Sequence, residues 1–155
     1  MQAVPQDKSR AGRIPENEVQ LLFTSKPENV GFARTAVALV ASQRDLTVDQ
    51  LDEIKVAVSE AVSNAVIHGY RDTSGMIQVD VKLYEDELEV VVTDKGTGIE
   101  DIEWAMQPTN TTDKSRMGLG LSVIKEFMDD LTITSRPGAG TRVYMAKKLA
   151  PASRP

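Results

Sequence analysis

A carboxylate and an amide lie four residues apart at Glu60 and Asn64, in a segment with a helical pattern. Because an α-helix has about 3.6 residues per turn, this spacing lets both side chains converge on one ligand. A glutamate can take up a proton, and an asparagine offers a neutral oxygen to a hard cation such as Mg²⁺. An isolated pair of this kind is more often a solvated helix face, so its meaning depends on the rest of the chain.

The residues around this pair predict the helix that positions it. Six apolar residues recur at helical spacing and predict one buried stripe: Ile54, Val58, Ala61, Val62, Ala65 and Val66. Glu60 and Asn64 fall on the opposite flank of the helix, away from this predicted core face. Glu53, Ala57 and His68 are expected beside them on that flank.

The rest of the chain predicts an α+β domain. Thr47 and Gln50 fit a capping box at the start of this helix, and Gly69 suits its end. Further helices are predicted at residues 29–42, 101–106 and 120–128. Strands are predicted at residues 19–24, 77–83, 88–93, 131–135 and 141–147. Because strands come in adjacent pairs, we expect a two-layer sandwich whose mixed, mainly antiparallel sheet is covered on one face by helices.

Asp94 follows the predicted strand 88–93 and precedes two glycines, Gly96 and Gly98. Two glycines separated by one residue let the backbone turn tightly and let a ligand approach closely. The Asp94 carboxylate could accept a hydrogen bond from an exocyclic amine there. For this motif alone, an ordinary turn between a strand and a helix is an equally open alternative.

A second glycine motif, Gly118 and Gly120, leads into the predicted helix 120–128. Free backbone N–H groups at the positive end of a helix dipole form a natural phosphate site. The polar segment before it includes Ser115 and Arg116, a composition that suits a lid near phosphates but also a plain solvent loop. The chain contains no P-loop motif, and no GxGxxG follows a βαβ pattern.

Composition sets the remaining limits. The chain has 155 residues, a net charge of −5, no cysteine and one histidine. We therefore expect one domain at residues 16–149 between tails at 1–15 and 150–155, without disulfides or a histidine-rich metal site. The negative charge argues against direct nucleic-acid binding. No apolar run is long enough to span a membrane, so a cytoplasmic protein is the expectation.

Taken in order, these motifs resemble the four boxes of the GHKL ATPase superfamily, which includes gyrase, the MutL repair proteins, heat-shock chaperones and sensor histidine kinases. The boxes are Glu60 with Asn64, Asp94 with Gly96 and Gly98, Gly118 with Gly120, and Gly140 with Thr141. Residues 32–34, 59–70 and 127–130 resemble the bacterial anti-sigma-factor serine kinases of sporulation and stress response. The resemblance covers about residues 19–148 and implies the GHKL, or Bergerat, ATP-binding fold.

The resemblance also implies an activity. Such proteins bind ATP and Mg²⁺, hold a sigma factor inactive, and phosphorylate a serine of a small anti-anti-sigma protein of the STAS type. It implies that Glu60 is the general base and that Asn64 binds nucleotide and ligates Mg²⁺. It further implies that Asp94 and Thr141 contact adenine, and that Arg34 contacts protein partners. The other implied nucleotide contacts are Gly96, Gly98, Ile99, Ser115, Arg116, Gly118, Leu119 and Gly120.

The chain also departs from the family pattern. The predicted lid at 108–118 is shorter than in sporulation members, which predicts weaker closure over the phosphates, and the glycine motif after it is more similar to stress-response members. No dimerisation helix with a phosphoacceptor histidine is evident, which argues against a complete histidine kinase. The family implies a homodimer. Two alternatives stay open: an ATP-dependent switch that sequesters a partner with little or no kinase activity, and a kinase-like regulator of a phosphatase or stressosome. Retention of Glu60 favours the enzyme.

Overall fold

The computed structural model describes residues 12–70, 73–99 and 118–150. The strands in these ranges are β1 (Asn17–Thr24), β2 (Met76–Leu83), β3 (Glu87–Asp94), β4 (Asp130–Arg136) and β5 (Gly140–Lys148). The helices are α1 (Glu28–Ala41), α2 (Val48–Asn64), the π-helical turn Ala65–Gly69 that continues from it, and α3 (Gly118–Phe127). These elements follow the predicted order, and the helix predicted at 101–106 lies outside the described residues.

The five strands form one sheet in the order β1-β2-β3-β5-β4, and each neighbouring pair is antiparallel. The predicted alternation of β2 is confirmed, because its inward residues Ile77, Val79, Val81 and Leu83 are buried. Three of their antiparallel partners on β3 are equally apolar, as in the pair Val79 and Val92, whereas Ile77 lies opposite Asp94. The expected α+β two-layer architecture is therefore confirmed, with an antiparallel sheet throughout the described strands.

The helices cover one face of this sheet, and α2 lies between α1 and α3. The predicted apolar stripe of α2 is buried, and Ile54, Val58 and Val62 have no exposed surface. Each fully buried side chain of this kind contributes about 1.5–3 kcal/mol to folding. Aromatic residues add little beyond one edge-to-face pair, Phe23 with Phe32, whose ring centroids are 6.2 Å apart. The core is thus built mainly from aliphatic side chains.

The opposite flank of α2 differs from the sequence prediction. Ala57 and His68 were expected on the non-core side, yet Ala57 is fully buried and His68 is 7% exposed. For Ala57 the reason is α3, which packs against this side of α2, whereas His68 lies in the π turn, which packs against β3 and β5. The capping box predicted at the start of α2 is confirmed. The backbone N–H of Gln50 donates to Thr47 Oγ1 at 3.1 Å, and the backbone N–H of Thr47 donates to the side-chain Oε1 of Gln50 at 3.0 Å.

The chain before β1 runs along the turn between β2 and β3. Arg13 forms an ion pair with Asp86 and lies 4.8 Å from the ring centroid of Tyr84. The Glu16 amide donates to the Leu83 carbonyl at 2.7 Å. Both partners of the ion pair are partly solvent-exposed, so its contribution to stability is small. None of the described helices combines the length and apolar character needed to cross a membrane.

Candidate active site

Glu60 and Asn64 lie on successive turns of α2, and both are half-buried. The side-chain nitrogen of Asn64 is buried and has no hydrogen-bond partner within the described part of the chain. A buried donor left unsatisfied costs about 1–3 kcal/mol, which a ligand oxygen would recover. Burial raises the pKa of the Glu60 carboxyl, because removal from water disfavours its charged form. The pair therefore provides a proton acceptor of raised pKa beside an amide that lacks a partner.

The N-terminal turn of α3 lies directly against this pair. A Cβ added at Gly120 would be 2.5 Å from Oε2 of Glu60 and 3.3 Å from Nδ2 of Asn64. A side chain at this position would therefore displace the Glu60 carboxylate and crowd Asn64. Gly118 and Leu119 form the start of the same helix, where free N–H groups favour an anion.

Asp94 ends β3 and is only 7% exposed. Its Oδ1 accepts a hydrogen bond from the Gly96 amide at 2.9 Å, and its carboxylate also accepts one from the Thr141 amide. Burial raises the pKa of the Asp94 carboxyl, although both N–H donors act in the opposite direction. The carboxylate is thus held in place by the backbone while its charge is poorly solvated, a state that a hydrogen-bond donor on a ligand would relieve.

The π turn Ala65–Gly69 brings the end of α2 against the segment after Asp94. The Thr97 amide donates to the Gly69 carbonyl at 2.9 Å. A Cβ at Gly96 would lie only 1.8 Å from that carbonyl oxygen, so this contact requires glycine. Gly96, which the resemblance assigned to the nucleotide, does not line the pocket and instead provides this close packing. Single π turns within helices are often found at functional sites.

Gly98 connects the same segment to the turn between β4 and β5. Its φ of 77° is in the left-handed region, and a Cβ there would lie 2.1 Å from the carbonyl oxygen of Arg136. The Gly138 amide donates to the Thr97 carbonyl at 2.7 Å. The β4–β5 turn therefore packs on the segment that carries Gly98 and fixes its conformation.

These elements surround one pocket between the helices and the sheet. It is lined by Ala61, Asn64, Ala65, His68, Gly69, Val92, Asp94, Gly98, Ile99, Leu121, Thr141 and Val143. Five residues that the sequence had assigned to nucleotide lie in this lining: Asn64, Asp94, Gly98, Ile99 and Thr141. They come from α2, the ends of two strands and the segment after β3, so the fold brings together residues that are far apart in the chain.

Other predicted residues lie elsewhere. Arg34 is exposed on α1, donates to Ser59 Oγ at 3.3 Å, and does not line the pocket. Ser115 and Arg116 lie outside the described residues. Sequence analysis placed His68 beside Glu60 and Asn64 by its helical spacing but did not assign it to the site, and it lines the pocket.

The donor set suits magnesium held jointly by protein and substrate. Within the described ranges, no group of three or more His, Cys, Asp or Glu side chains could hold a metal ion. Mg²⁺ does not need such a cage, because it keeps several waters and takes further ligands from substrate phosphates. Asn64, whose buried side-chain nitrogen lacks a partner within the described residues, fits this arrangement, because its oxygen would be available to the cation and its nitrogen to a phosphate.

Comparison with known proteins agrees with this fold. A family model described as a histidine kinase-like ATPase domain matches residues 23–147. An anti-sigma F factor of Clostridium acetobutylicum is 44% identical over 137 residues, which are 87% of this chain and 96% of that protein. The chain belongs to the family of histidine kinase-like ATPase domains. An anti-sigma F factor of a Thermoanaerobacter species is 47% identical over 135 residues, 86% of this chain and 94% of that protein.

Solved structures support the same fold for this family member. The crystal structure of the RsbU and RsbW domains of a Mycobacterium tuberculosis protein has a TM-score of 0.63 and 22% identity, covering 90% of this chain. The histidine kinase domain of an Erythrobacter litoralis blue-light-activated kinase has a TM-score of 0.55 and 23% identity, covering 78% of this chain. This chain spans 34% of the first of those chains and 59% of the second. The family match supports ATP as a ligand.

Proposed function

We propose that this protein is an anti-sigma factor that binds Mg-ATP, sequesters a sigma factor and phosphorylates a serine of an anti-anti-sigma protein. The observation that carries the proposal is the arrangement around Gly120, where the phosphate-favouring start of α3 touches both Glu60 and Asn64. Asn64 also lines the pocket that contains Asp94. In this proposal one site combines a proton acceptor, a ligand for magnesium and an acceptor for a nucleotide base.

The proposed chemistry is phosphoryl transfer to a hydroxyl. The serine Oγ of the partner attacks the γ-phosphorus of ATP, the bond from that phosphorus to the β,γ-bridging oxygen breaks, and ADP leaves. The serine proton passes to the Glu60 carboxylate, whose raised pKa suits it to hold a proton. When bound, Mg²⁺ would neutralise phosphate charge beside Asn64. Asp94 and Thr141 would orient the base, so most of the rate enhancement would come from positioning.

The proposed partners follow from the relatives named anti-sigma F factors. They are a sigma factor and an anti-anti-sigma protein of the STAS type, with no direct contact to nucleic acid or membrane. Their action would place this protein in the cytoplasm. We also propose a homodimer. Arg34 is proposed to contact a protein partner, because it is exposed on α1 and does not line the pocket.

Label transfer tests the proposal. The protein is incubated with γ-labelled ATP, Mg²⁺ and a candidate anti-anti-sigma protein, in parallel with Glu60→Gln. Asp52→Asn is the matched control, because Asp52 is an exposed carboxylate on the same helix. We expect a labelled serine with the wild type and with Asp52→Asn, and a loss of at least about 100-fold with Glu60→Gln, the usual size of a general-base contribution.

Two outcomes would change the proposal. ATP binding without transfer to any candidate protein would favour a nucleotide-dependent switch that sequesters its partner. Undiminished transfer by Glu60→Gln would remove Glu60 from its role as the base, while the assignment of the nucleotide pocket would stand on ATP binding alone.

A further inference from the structure

Ser135, at the end of β4, makes three short contacts at the base of the pocket. The Ile99 amide donates to Ser135 Oγ at 2.6 Å, and Ser135 Oγ donates to the Gly140 carbonyl oxygen at 3.1 Å. Its third contact, 2.8 Å long, is to the Thr141 hydroxyl, where either oxygen could be the donor. Ser135 is half-buried and does not itself line the pocket, whereas two of its partners, Ile99 and Thr141, do.

The hydrogen-bond capacity of a serine decides the direction of the third contact. A hydroxyl has one hydrogen to donate and two lone pairs to accept with. The Ile99 amide uses one lone pair, and the Gly140 carbonyl, which can only accept, takes the hydrogen. Thr141 must then donate its own hydrogen to the remaining lone pair of Ser135. If Ser135 instead donated its hydrogen to Thr141, the Ser135 hydroxyl oxygen and the Gly140 carbonyl oxygen would face each other without a hydrogen between them.

This direction determines what Thr141 offers to a ligand. With its hydrogen committed to Ser135, the Thr141 hydroxyl presents only lone pairs to the pocket. Asp94 lies directly across the strand pair from Thr141, and its ionised carboxylate is also an acceptor. The two groups together match a ligand edge that carries hydrogen-bond donors, such as an amino group with two hydrogens.

We propose that Ser135 is a positioning residue that makes the Thr141 hydroxyl a hydrogen-bond acceptor and so selects a 6-aminopurine over a 6-oxopurine nucleotide. The inference rests on the proposed function, because it assumes that the pocket holds the base of ATP. The surroundings of Ser135 support a fixed orientation. The β4–β5 turn is attached to the segment after Asp94 through the hydrogen bond from the Gly138 amide to the Thr97 carbonyl.

The test compares nucleotides that differ only at the purine 6-position. Dissociation constants are measured by calorimetry for ATP, GTP and purine riboside triphosphate, which lacks the 6-amino group, using wild type, Ser135→Ala, Ser135→Thr and Thr134→Ala. Thr134 is the matched control, because it neighbours Ser135 on β4 and strand alternation turns its side chain to the other face. Ser135→Thr keeps the hydroxyl and should rescue the wild-type preference.

We expect Ser135→Ala to weaken ATP binding by about three- to tenfold, the effect of losing one or two hydrogen bonds. Purine riboside triphosphate should bind as before, so the preference for ATP over it falls by the same factor, and discrimination against GTP falls as well. Ser135→Thr and Thr134→Ala should retain the wild-type ratios. Thermal unfolding checks that each variant is folded, and Ser135→Cys, with a weakly bonding thiol of similar shape, replaces an alanine variant that does not fold.

The outcomes separate this inference from the proposed function. Equal weakening of all three nucleotides in Ser135→Ala would overturn the inference, because it would show a general structural role. Dissociation constants in Ser135→Ala that equal those of the wild type for all three nucleotides would also overturn the inference, and would leave the proposed ATP site intact. A wild-type protein that binds none of the three nucleotides would overturn the proposed function, and the inference with it.

Discussion

Glu60 combines partial burial with the role of a proposed base, and this predicts a pH dependence. Its pKa is raised above the ordinary value of 4.5 by burial. Because a base must be deprotonated to accept a proton, the rate of label transfer should fall as the pH drops through this raised pKa. A profile of kcat/KM against pH measures the effect, and Asp52→Asn should reproduce the wild-type profile. An acidic limb at or below 4.5 would contradict the assignment.

The ionised Asp94 carboxylate should lower the free energy of unfolding when no ligand is bound. Its pKa is raised in the folded state, so folding favours the protonated form, and the charged form destabilises the fold as pH rises through that pKa. Asp94→Asn removes the charge and keeps an acceptor oxygen. We therefore expect its unfolding temperature, relative to that of wild type, to be higher at neutral pH than in mild acid.

The same substitution should weaken nucleotide binding and its selectivity for ATP. Asp94→Asn is expected to bind ATP less tightly and to discriminate less between ATP and GTP, because an amide can turn a donor toward a 6-oxo group. Calorimetric titration with both nucleotides measures this. A variant that keeps the wild-type preference would argue against the contact between Asp94 and the base, whatever its effect on stability.

At the scale of elements, Lys147 joins β5 to both helices that form the site. Its Nζ donates to Glu53 Oε2 on α2 and to the Phe127 carbonyl at the end of α3, each at 2.7 Å. The Lys147 side chain is 9% exposed, and its charge lies at the negative end of the α3 dipole. This contact fixes the far end of α3, while Gly120 fixes the near end against Glu60.

Replacing Lys147 should therefore destabilise the fold. We expect Lys147→Met, which keeps the apolar stem, to lower the free energy of unfolding by about 1–3 kcal/mol. The cost is limited because Glu53 is 38% exposed and can be solvated. Urea unfolding measures the change, with exposed Lys148→Met as the control. If both variants unfold at the same urea concentration, the contact does not stabilise α3.

At the scale of the whole molecule, the pocket lies at one end of the inner face of the sheet. Antiparallel register aligns one row across all five strands: Phe23, Ile77, Asp94, Thr141 and Ser135. The row is apolar on β1 and β2 and polar on β3, β5 and β4. The helices cover its apolar part as core, and its polar part contains the groups proposed to read the base.

Local patterns in the sequence determined the types and order of the elements. Helical spacing predicted α2 and its buried stripe, and alternation predicted the strands, because each pattern depends only on neighbouring residues. The position of Glu60 beside Asn64 follows from the same local geometry. The glycines near Asp94 and in the first turn of α3 indicated where a ligand could approach, although Gly96 packs on Gly69 rather than lining the pocket.

Only the tertiary structure decided which distant residues meet. The burial of Ala57 depends on α3 packing against α2, and that of His68 on the π turn packing against β3 and β5, which no local pattern encodes. The contacts of Ser135 depend on strand register and on a close approach between the β4–β5 turn and Gly98. Pairing of strands is set by the whole core, since a shift of one residue would turn every inward side chain outward. For that reason the sequence predicted the nucleotide motifs, whereas the proposed role of Ser135 depends on contacts that only the fold shows.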